Sequence, residues 1–454
     1  MNAADLIPAV CLKYLPALLP RLKQAPELRD PDQLDYPAPL LLLLSLFMML
    51  EPSRAAFDAA CQRNGGHLLD NCLSLLDIPA DAVKELPCSK TIDRYLRQLD
   101  PEFLGGLTLD LLRHLVRSKA LDARLFGTFR LTIDATHTVR RHVHHCDTCL
   151  TCTHANGQTD YFHVVVSVML VTPSGLCIPL RSKAADNPAG GNFDKQNCEI
   201  NTAKELIIEI KQLLPQLPVT LIGDALYACE PIINLCEQNH WAYILSFKDG
   251  GLPTLWKAAE QQRQQNPGQA LTIITAEGDR HEYSWACNLK HKGKDVHAVW
   301  LKLTIIDKNG EPKTTTFAYI TDWRPDAKNI RQIIDNGGRL RQHHENAYND
   351  LKNRGFHLTH DYGSRGHASS NSFSLRQIIH MILSLGMKSD LIRKLPSLPA
   401  NALPMASPME FAFKTFANFV NSVREGLRHL AFDAAVLAEG FASSCHAKLR
   451  IDSA

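Results

Sequence analysis

Near residue 126 the texture of the chain changes, and this limits the fold more than any other feature. Upstream, Leu-, Ala- and Met-rich stretches broken near Pro31–Pro39, Gly65-Gly66 and Pro101 predict helices. Downstream, Phe129–Thr136, Phe162–Val171 and Gly175–Leu180 are β-prone runs. A helix over Glu199–Leu214, a strand over Val219–Asp224, a helix over about Glu230–Asn239 and a strand over Trp241–Phe247 follow. The order β, β, β, α, β, α, β requires an α/β core with a mixed sheet, whose first three strands can form an antiparallel meander.

Residues 251–323 interrupt that alternation. After a Gln-rich helical piece, Ala270–Thr275, His281–Trp285, His297–Ile306 and Thr314–Ile320 alternate and are rich in aromatic and β-branched residues, which predicts an all-β insertion. The helical pattern resumes after Trp323 and again dominates residues 369–454, broken by Pro396, Pro399, Pro404 and Pro408. The expected organisation is a helical N-terminal region (1–125), a split core (126–250 and 324–395) around the β-rich insertion (251–323), and a helical C-terminal region (396–454).

A chain of 454 residues with 45% apolar content has ample material for a core. Its net charge of +2 carries no bulk signature of a nucleic-acid binder, so any such contact must come from local patches. The start Met-Asn-Ala-Ala-Asp lacks the basic residues and apolar core of a signal peptide, and the apolar run Pro39–Leu50 is too short to span a bilayer. The thirteen cysteines then read as reduced thiols or metal ligands. A cytoplasmic protein with no membrane partner is expected.

The chemistry concentrates in Arg339-Leu-Arg-Gln-His-His-Glu-Asn-Ala-Tyr-Asn-Asp-Leu-Lys-Asn-Arg-Gly355, which reads as a helix preceded by Gly337-Gly338 and ended by Gly355. At about 100° per residue, Arg341, Glu345 and Lys352 share one face. A solvated i,i+4 ion pair is the plain reading of Arg341 and Glu345. Two upstream acids change that reading, because Asp134 and Asp224 each close a buried-looking strand, where an acid belongs at a ligand-binding sheet edge. Two strand-end carboxylates and one helical carboxylate suit a pair of Mg²⁺ ions performing in-line phosphoryl transfer. Arg341 and Lys352 would hold phosphate.

The Arg-x3-Glu-x6-Lys spacing of Arg341, Glu345 and Lys352 resembles the Y-R-E-K signature of bacterial insertion-sequence DDE transposases of the hairpin-forming cut-and-paste group. Ile133-Asp134-Ala-Thr, Gly223-Asp224-Ala-Leu-Tyr227, Lys195-Gln-Asn-Cys-Glu199 and Leu351-Lys352-Asn353-Arg-Gly355 are similar too, so the likeness covers about residues 126–365. It implies a ribonuclease-H-like core interrupted by a β-rich insertion, with Asp134, Asp224 and Glu345 as catalytic metal ligands. It also implies two Mg²⁺ ions, for which Mn²⁺ can substitute, double-stranded DNA as partner (terminal inverted repeats and target), and a homodimer on DNA. Gly338 stands where the family carries its tyrosine, and His343 and His344 precede Glu345 in place of an aromatic-basic-apolar run. The alternatives are a catalytically impaired DNA-binding derivative, or a general nuclease on the same core.

Four further expectations come from the residues alone. Cys146, Cys149 and Cys152 form C-x2-C-x2-C among His142, His144, His145 and His154. Asn156 stands where an iron–sulfur run needs its next cysteine, whereas zinc on the three thiolates and one imidazole, such as His154, is chemically reasonable. The alternative is an unliganded Cys/His loop meeting DNA through Arg140 and Arg141. In the N-terminal region, Ser89 is a candidate N-cap for a helix whose Ile92, Tyr95, Leu96 and Leu99 form an apolar stripe. That leaves Lys90, Arg94 and Arg97 outward, either as a solvated face or for DNA, and Lys248 (with Lys195 and Arg365) is a candidate phosphate contact. Trp285, Trp300 and Trp323 are either core residues or platforms for an unpaired base.

Overall fold

The computed structural model describes residues 2–442 except 31–34, 65, 120, 122–123, 145–148, 186–194, 308–309, 361, 364 and 395–412. Helices dominate its first part: α1 (Leu6–Lys13), α2 (Leu18–Lys23), α3 (Ala38–Met48), α4 (Arg54–Asn64), α5 (Gly66–Leu76), α6 (Ser89–Gln98) and α7 (Pro101–Arg117). The apolar run of the sequence is α3, buried along its length among the other helices. No helix among the described residues is long and apolar enough to cross a membrane.

The strands follow as β1 (Arg124–Leu125), β2 (Thr128–Arg141), β3 (Leu150–Thr153), β4 (Thr159–Val171) and β5 (Cys177–Ala184). Then come α8 (Lys195–Leu213), β6 (Val219–Gly223), α9 (Glu230–Gln238), β7 (Ala242–Ser246) and α10 (Pro253–Gln265). The last strands are β8 (Ala270–Ile274), β9 (Arg280–His291), β10 (Lys294–Ile306) and β11 (Pro312–Thr321). All join one mixed sheet, ordered β3-β4-β2-β6-β7-β11-β10-β9-β8, with β1 beside β2 and β5 beside β4. The pairs β2/β6 and β6/β7 are parallel and the rest antiparallel. The expected meander is present as β2, β4 and β5.

The segment expected as an insertion therefore opens with a helix, and its strands extend the central sheet. Tyr319, Ile320 and Thr321 of β11 pair with Ser246, Leu245 and Ile244 of β7. Burying both faces of that junction makes its strands part of the core, with Trp300 and Ile320 in the main cluster and Trp285 and Tyr319 in a second one.

The chain then forms α11 (Ile330–Asp335), a 3-10 turn (Gly338–Leu340), α12 (Arg341–Asn353), α13 (Ala368–Lys388), α14 (Phe416–His429) and α15 (Ala434–Ala442). Gly355 adopts φ +97°, a left-handed conformation that stops α12 as its sequence position predicts. The C-terminal helices fold back onto the N-terminal ones: Asn71 Nδ2 donates to Leu427 O and Leu430 O at 3.2 and 2.9 Å, and Arg428 pairs with Glu51. The two helical regions thus pack together, with both α7 and α13 lying against β5.

The N-cap of α6 differs from expectation. Cys88 is the cap residue, and Ser89 begins the helix with its N–H and Oγ bound to Asp58 of α4 at 2.6 and 2.7 Å. A carboxylate from a neighbouring helix outcompetes the local hydroxyl because it accepts both donors at once.

Candidate active site

Alternate residues of β2 dock the segment that carries Glu345. A strand points every second side chain to the same face, and Arg130, Thr132 and Asp134 occupy one such face. Arg130 Nε donates to Asn336 O (2.5 Å), Thr132 Oγ1 meets His344 Nδ1 (3.0 Å), and Asp134 Oδ2 lies 3.8 Å from Arg341 Nη1. Tyr348 Oη completes the line by donating to Asp134 O at 3.1 Å.

Asp224 reaches the same place through register. Thr132 of β2 pairs with Ile222 of the parallel strand β6. Two residues on, Asp224 lies just past the end of β6, whereas Asp134 lies inside β2, which continues to Arg141 because β4 pairs with it beyond the expected end. The carboxylate of Asp224 is close enough to push the Asp134 pKa up. Its Oδ1 accepts from Leu226 N at 2.8 Å, a tight turn that packs buried Tyr227 against Gly223; a Cβ on Gly223 would sit 3.1 Å from that ring.

Glu345 comes from α12, where its Oε1 is 2.6 Å from Arg341 Nη1. One guanidinium nitrogen therefore lies within 4 Å of carboxylate oxygens from Asp134 and Glu345. Asp134 is 14% exposed and Glu345 49%, so the site is walled by the sheet and open on the helix side. Burial raises the Asp134 carboxyl to about 6 despite the opposing pull of Arg341. Lys352, half-buried on α12, is lowered by desolvation and drawn back up by Asp134.

The docking of α12 uses residues that spacing alone did not mark. His344 is fully buried; its Nε2 meets Ser167 Oγ at 3.1 Å, and Ser167 Oγ meets Tyr348 Oη at 2.5 Å. One neutral tautomer, protonated on Nε2, orients Thr132, His344, Ser167, Tyr348 and the Asp134 carbonyl into a single directed chain. Burial holds His344 neutral by lowering its pKa to about 3. The available sequence signal was the i,i+4 spacing of two ring-bearing polar residues, His344 and Tyr348, on the helix face opposite solvent. Glu199 of α8, quoted above only for its surrounding motif, is buried and acts electrostatically on Tyr227 and Tyr348 beneath the site.

The remaining expected residues lie elsewhere. Lys248 stands exposed two residues past β7, off the same sheet edge as Asp224. Arg94 is exposed on α6, whereas Arg97 turns back to the buried Asp93, which also binds Arg54 at 2.9 Å. Trp285 and Trp300 are buried in the two cores, with Arg263 stacked 4.9 Å from the Trp300 ring; Trp323 packs on Phe126.

In the Cys/His hairpin, Cys146 lies outside the described residues. Cys149 is buried with its Sγ 3.9 Å from His163 Nε2, and Cys152 is half-buried on β3. His142 and His154 both bind Asp160, at 2.8 and 2.7 Å, together with Arg140. These imidazoles and the arginine hold Asp160 well below the usual carboxylate range. Among the described residues no group of three or more His, Cys, Asp or Glu is already gathered as a metal site. At the carboxylates, Arg341 supplies the positive charge between Asp134 and Glu345.

No family model matches the chain, and no curated protein matches it.

Proposed function

We propose that this protein is a DNA transposase of the DDE type. Asp134, Asp224 and Glu345 would cut phosphodiester bonds at element ends and join the freed 3′-hydroxyl to target DNA, by way of a hairpin intermediate. The observation that carries this reading is the convergence of one aspartate inside β2, one just past the end of β6 and one helical glutamate around Arg341. A sheet with antiparallel β2, β4 and β5 followed by parallel β6 and β7 supports a ribonuclease-H-like core extended by β8–β11.

The donor set fits hard divalent cations: its oxygens are carboxylate, and the buried Asp134 already has a cationic nitrogen beside it. Asp134, Asp224 and Glu345 would hold such ions, which in this chemistry activate the attacking oxygen and stabilise the leaving one. Arg341 pairs with Asp134 and Glu345 and would take a phosphate oxygen through its planar fork. Lys352, on the same helix face, would contribute a point charge beside that phosphate. The buried network through His344 and Tyr348 keeps α12 from sliding along β2, which fixes Glu345 against Asp134.

The test uses DNA flanking the reading frame, because an insertion element carries its own substrate. Wild type with Mg²⁺ should give hairpin-ended cuts at the flank boundary, and Glu345→Ala should abolish them while still binding DNA. Equal cutting by the variant would remove Glu345 from the mechanism. Gly338 favours a second reading, a DNA-binding derivative without catalysis; binding with no Mg²⁺-dependent cutting by wild type would select it.

A further inference from the structure

A cleft of about 690 Å³ runs along the edge strand β5, lined by β2, β4, β5, α7, α8, α13 and the segment before α13, with Arg181 on its wall paired to Glu102 and Glu209. Its floor includes Thr138 of β2 and His163 and Val165 of β4. Asp134 pairs with Ser167, and Thr136 with Val165, so Val165 shares the face that holds Asp134, and the register shifts just beyond, between His137 and Arg140. Thr138 is four residues along β2, about 13 Å at the rise of a strand.

Two polar atoms in this cleft have no hydrogen-bond partner. Ser372 is 2% exposed with an unbonded Oγ, and Gln377 is 4% exposed with an unbonded Nε2. The Oε1 of Gln377 is held by Ser182 Oγ at 3.0 Å, leaving only its amide donors to serve the cleft. Buried donors without partners are costly, so such a pair marks a place where an acceptor belongs. The rim adds Ser370 and the exposed imidazoles His360 and His367. Phe373 and Leu358 supply apolar surface beside them. Hydroxyl and amide donors over an apolar wall suit a sugar–phosphate backbone, since serine and glutamine side chains commonly hold phosphate oxygens.

The far end of the cleft abuts α6: His367 N donates to Arg97 O at 3.1 Å, and a Cβ on Gly366 would lie 2.5 Å from that same oxygen. One end of the cleft therefore meets α6, and its Val165 lies opposite Thr136, two residues along β2 from Asp134.

We infer that this cleft is a DNA-strand groove, in which Ser372 Oγ and Gln377 Nε2 donate to backbone phosphates of the strand that runs from α6 to the cutting site. The inference rests on the transposase reading, and it adds contacts that the three carboxylates and the α12 cations do not provide.

The test measures binding of a fluorescein-labelled 20-base-pair duplex of flanking DNA, with Ca²⁺ present to prevent cutting. Ser372→Ala removes a hydroxyl that has no partner, so it should leave Tm unchanged or slightly raised while weakening binding about threefold. His360→Glu combined with His367→Glu changes only exposed side chains and should weaken binding roughly tenfold. Wild-type binding that persists unaltered in both variants overturns the groove and spares the transposase reading. Absence of duplex binding by wild type overturns both. Loss of binding in Ser372→Ala accompanied by a fall in Tm of several degrees overturns the groove, because the hydroxyl would then be structural.

Discussion

The ring of Tyr319 on β11 fills the space that any side chain at Gly338 would need. A Cβ on Gly338 would lie 2.6 to 2.7 Å from three carbons of that ring. The contact joins the last strand of the sheet extension to the turn leading into α12, three residues before Arg341. Arg339 reinforces it by stacking 5.3 Å from the ring of Phe317, which lies on the same face of β11.

Gly338→Ala should therefore be destabilising by about 1–3 kcal/mol through overpacking, and Gly338→Tyr by more. Pairing Gly338→Ala with Tyr319→Leu should recover part of the loss, since the smaller side chain can yield. Thermal melts of the singles and the double give the coupling directly. Additive losses would show that the ring does not exclude residue 338.

Removing the His344 imidazole should leave the hydroxyls of Thr132 and Ser167 short of a partner inside the core. His344→Ala should cost on the order of 3 kcal/mol from the cavity and the unmet polar groups. It should also lower DNA cutting more than DNA binding, because Glu345 is the next residue along the helix. A variant that melts early but cuts at the wild-type rate would separate the network from the site.

The pH dependence of stability follows from Asp134, whose carboxyl is raised from 3.8 to about 6 by burial. A raised carboxyl favours the protonated fold, so its contribution is fully present below about 4 and lost as pH rises through about 6. Asp134→Asn removes that loss. Its unfolding free energy should thus gain on wild type as pH rises from about 4 to above about 6, by up to roughly 2–3 kcal/mol for a shift of about two units, read from thermal melts across that range. A difference that is flat with pH would mean the carboxylate is solvated. Below pH 6 the proton also competes with a divalent cation, so the Mg²⁺ concentration needed for cutting should rise as pH falls.

Arg341 supplies the positive charge between Asp134 and Glu345. In Arg341→Gln the carboxylates are left to repel one another, so the variant should melt earlier without metal. Added Mg²⁺ should raise its Tm more than it raises that of wild type. An equal Mg²⁺ response in both proteins would place the cation away from these carboxylates.

Much of the candidate site was legible because its parts are local. Asp224 could be read as a strand-end acid from the β-prone run before it, and Asp134 as an acid on its strand, though that strand runs on to Arg141. Arg341, Glu345 and Lys352 share a helix face by spacing alone, and the end of α12 at Gly355 follows from its left-handed backbone. These features depend on residues within a few positions of one another, where periodicity and backbone conformation suffice.

What only the tertiary structure decided are the relations across long stretches of chain. The strands after α10 extend the central sheet, because the backbone groups of β7 are paired by β11. His343 and His344 look alike in sequence, yet only His344 lies under the helix against Thr132 and Ser167. Arg97 carries the same charge as Arg94 but turns inward to Asp93. Sequence determined which residues could bear charge, cap a strand or end a helix. Strand register and packing determined which of them meet, because a buried polar group takes whatever partner the fold brings within hydrogen-bonding distance.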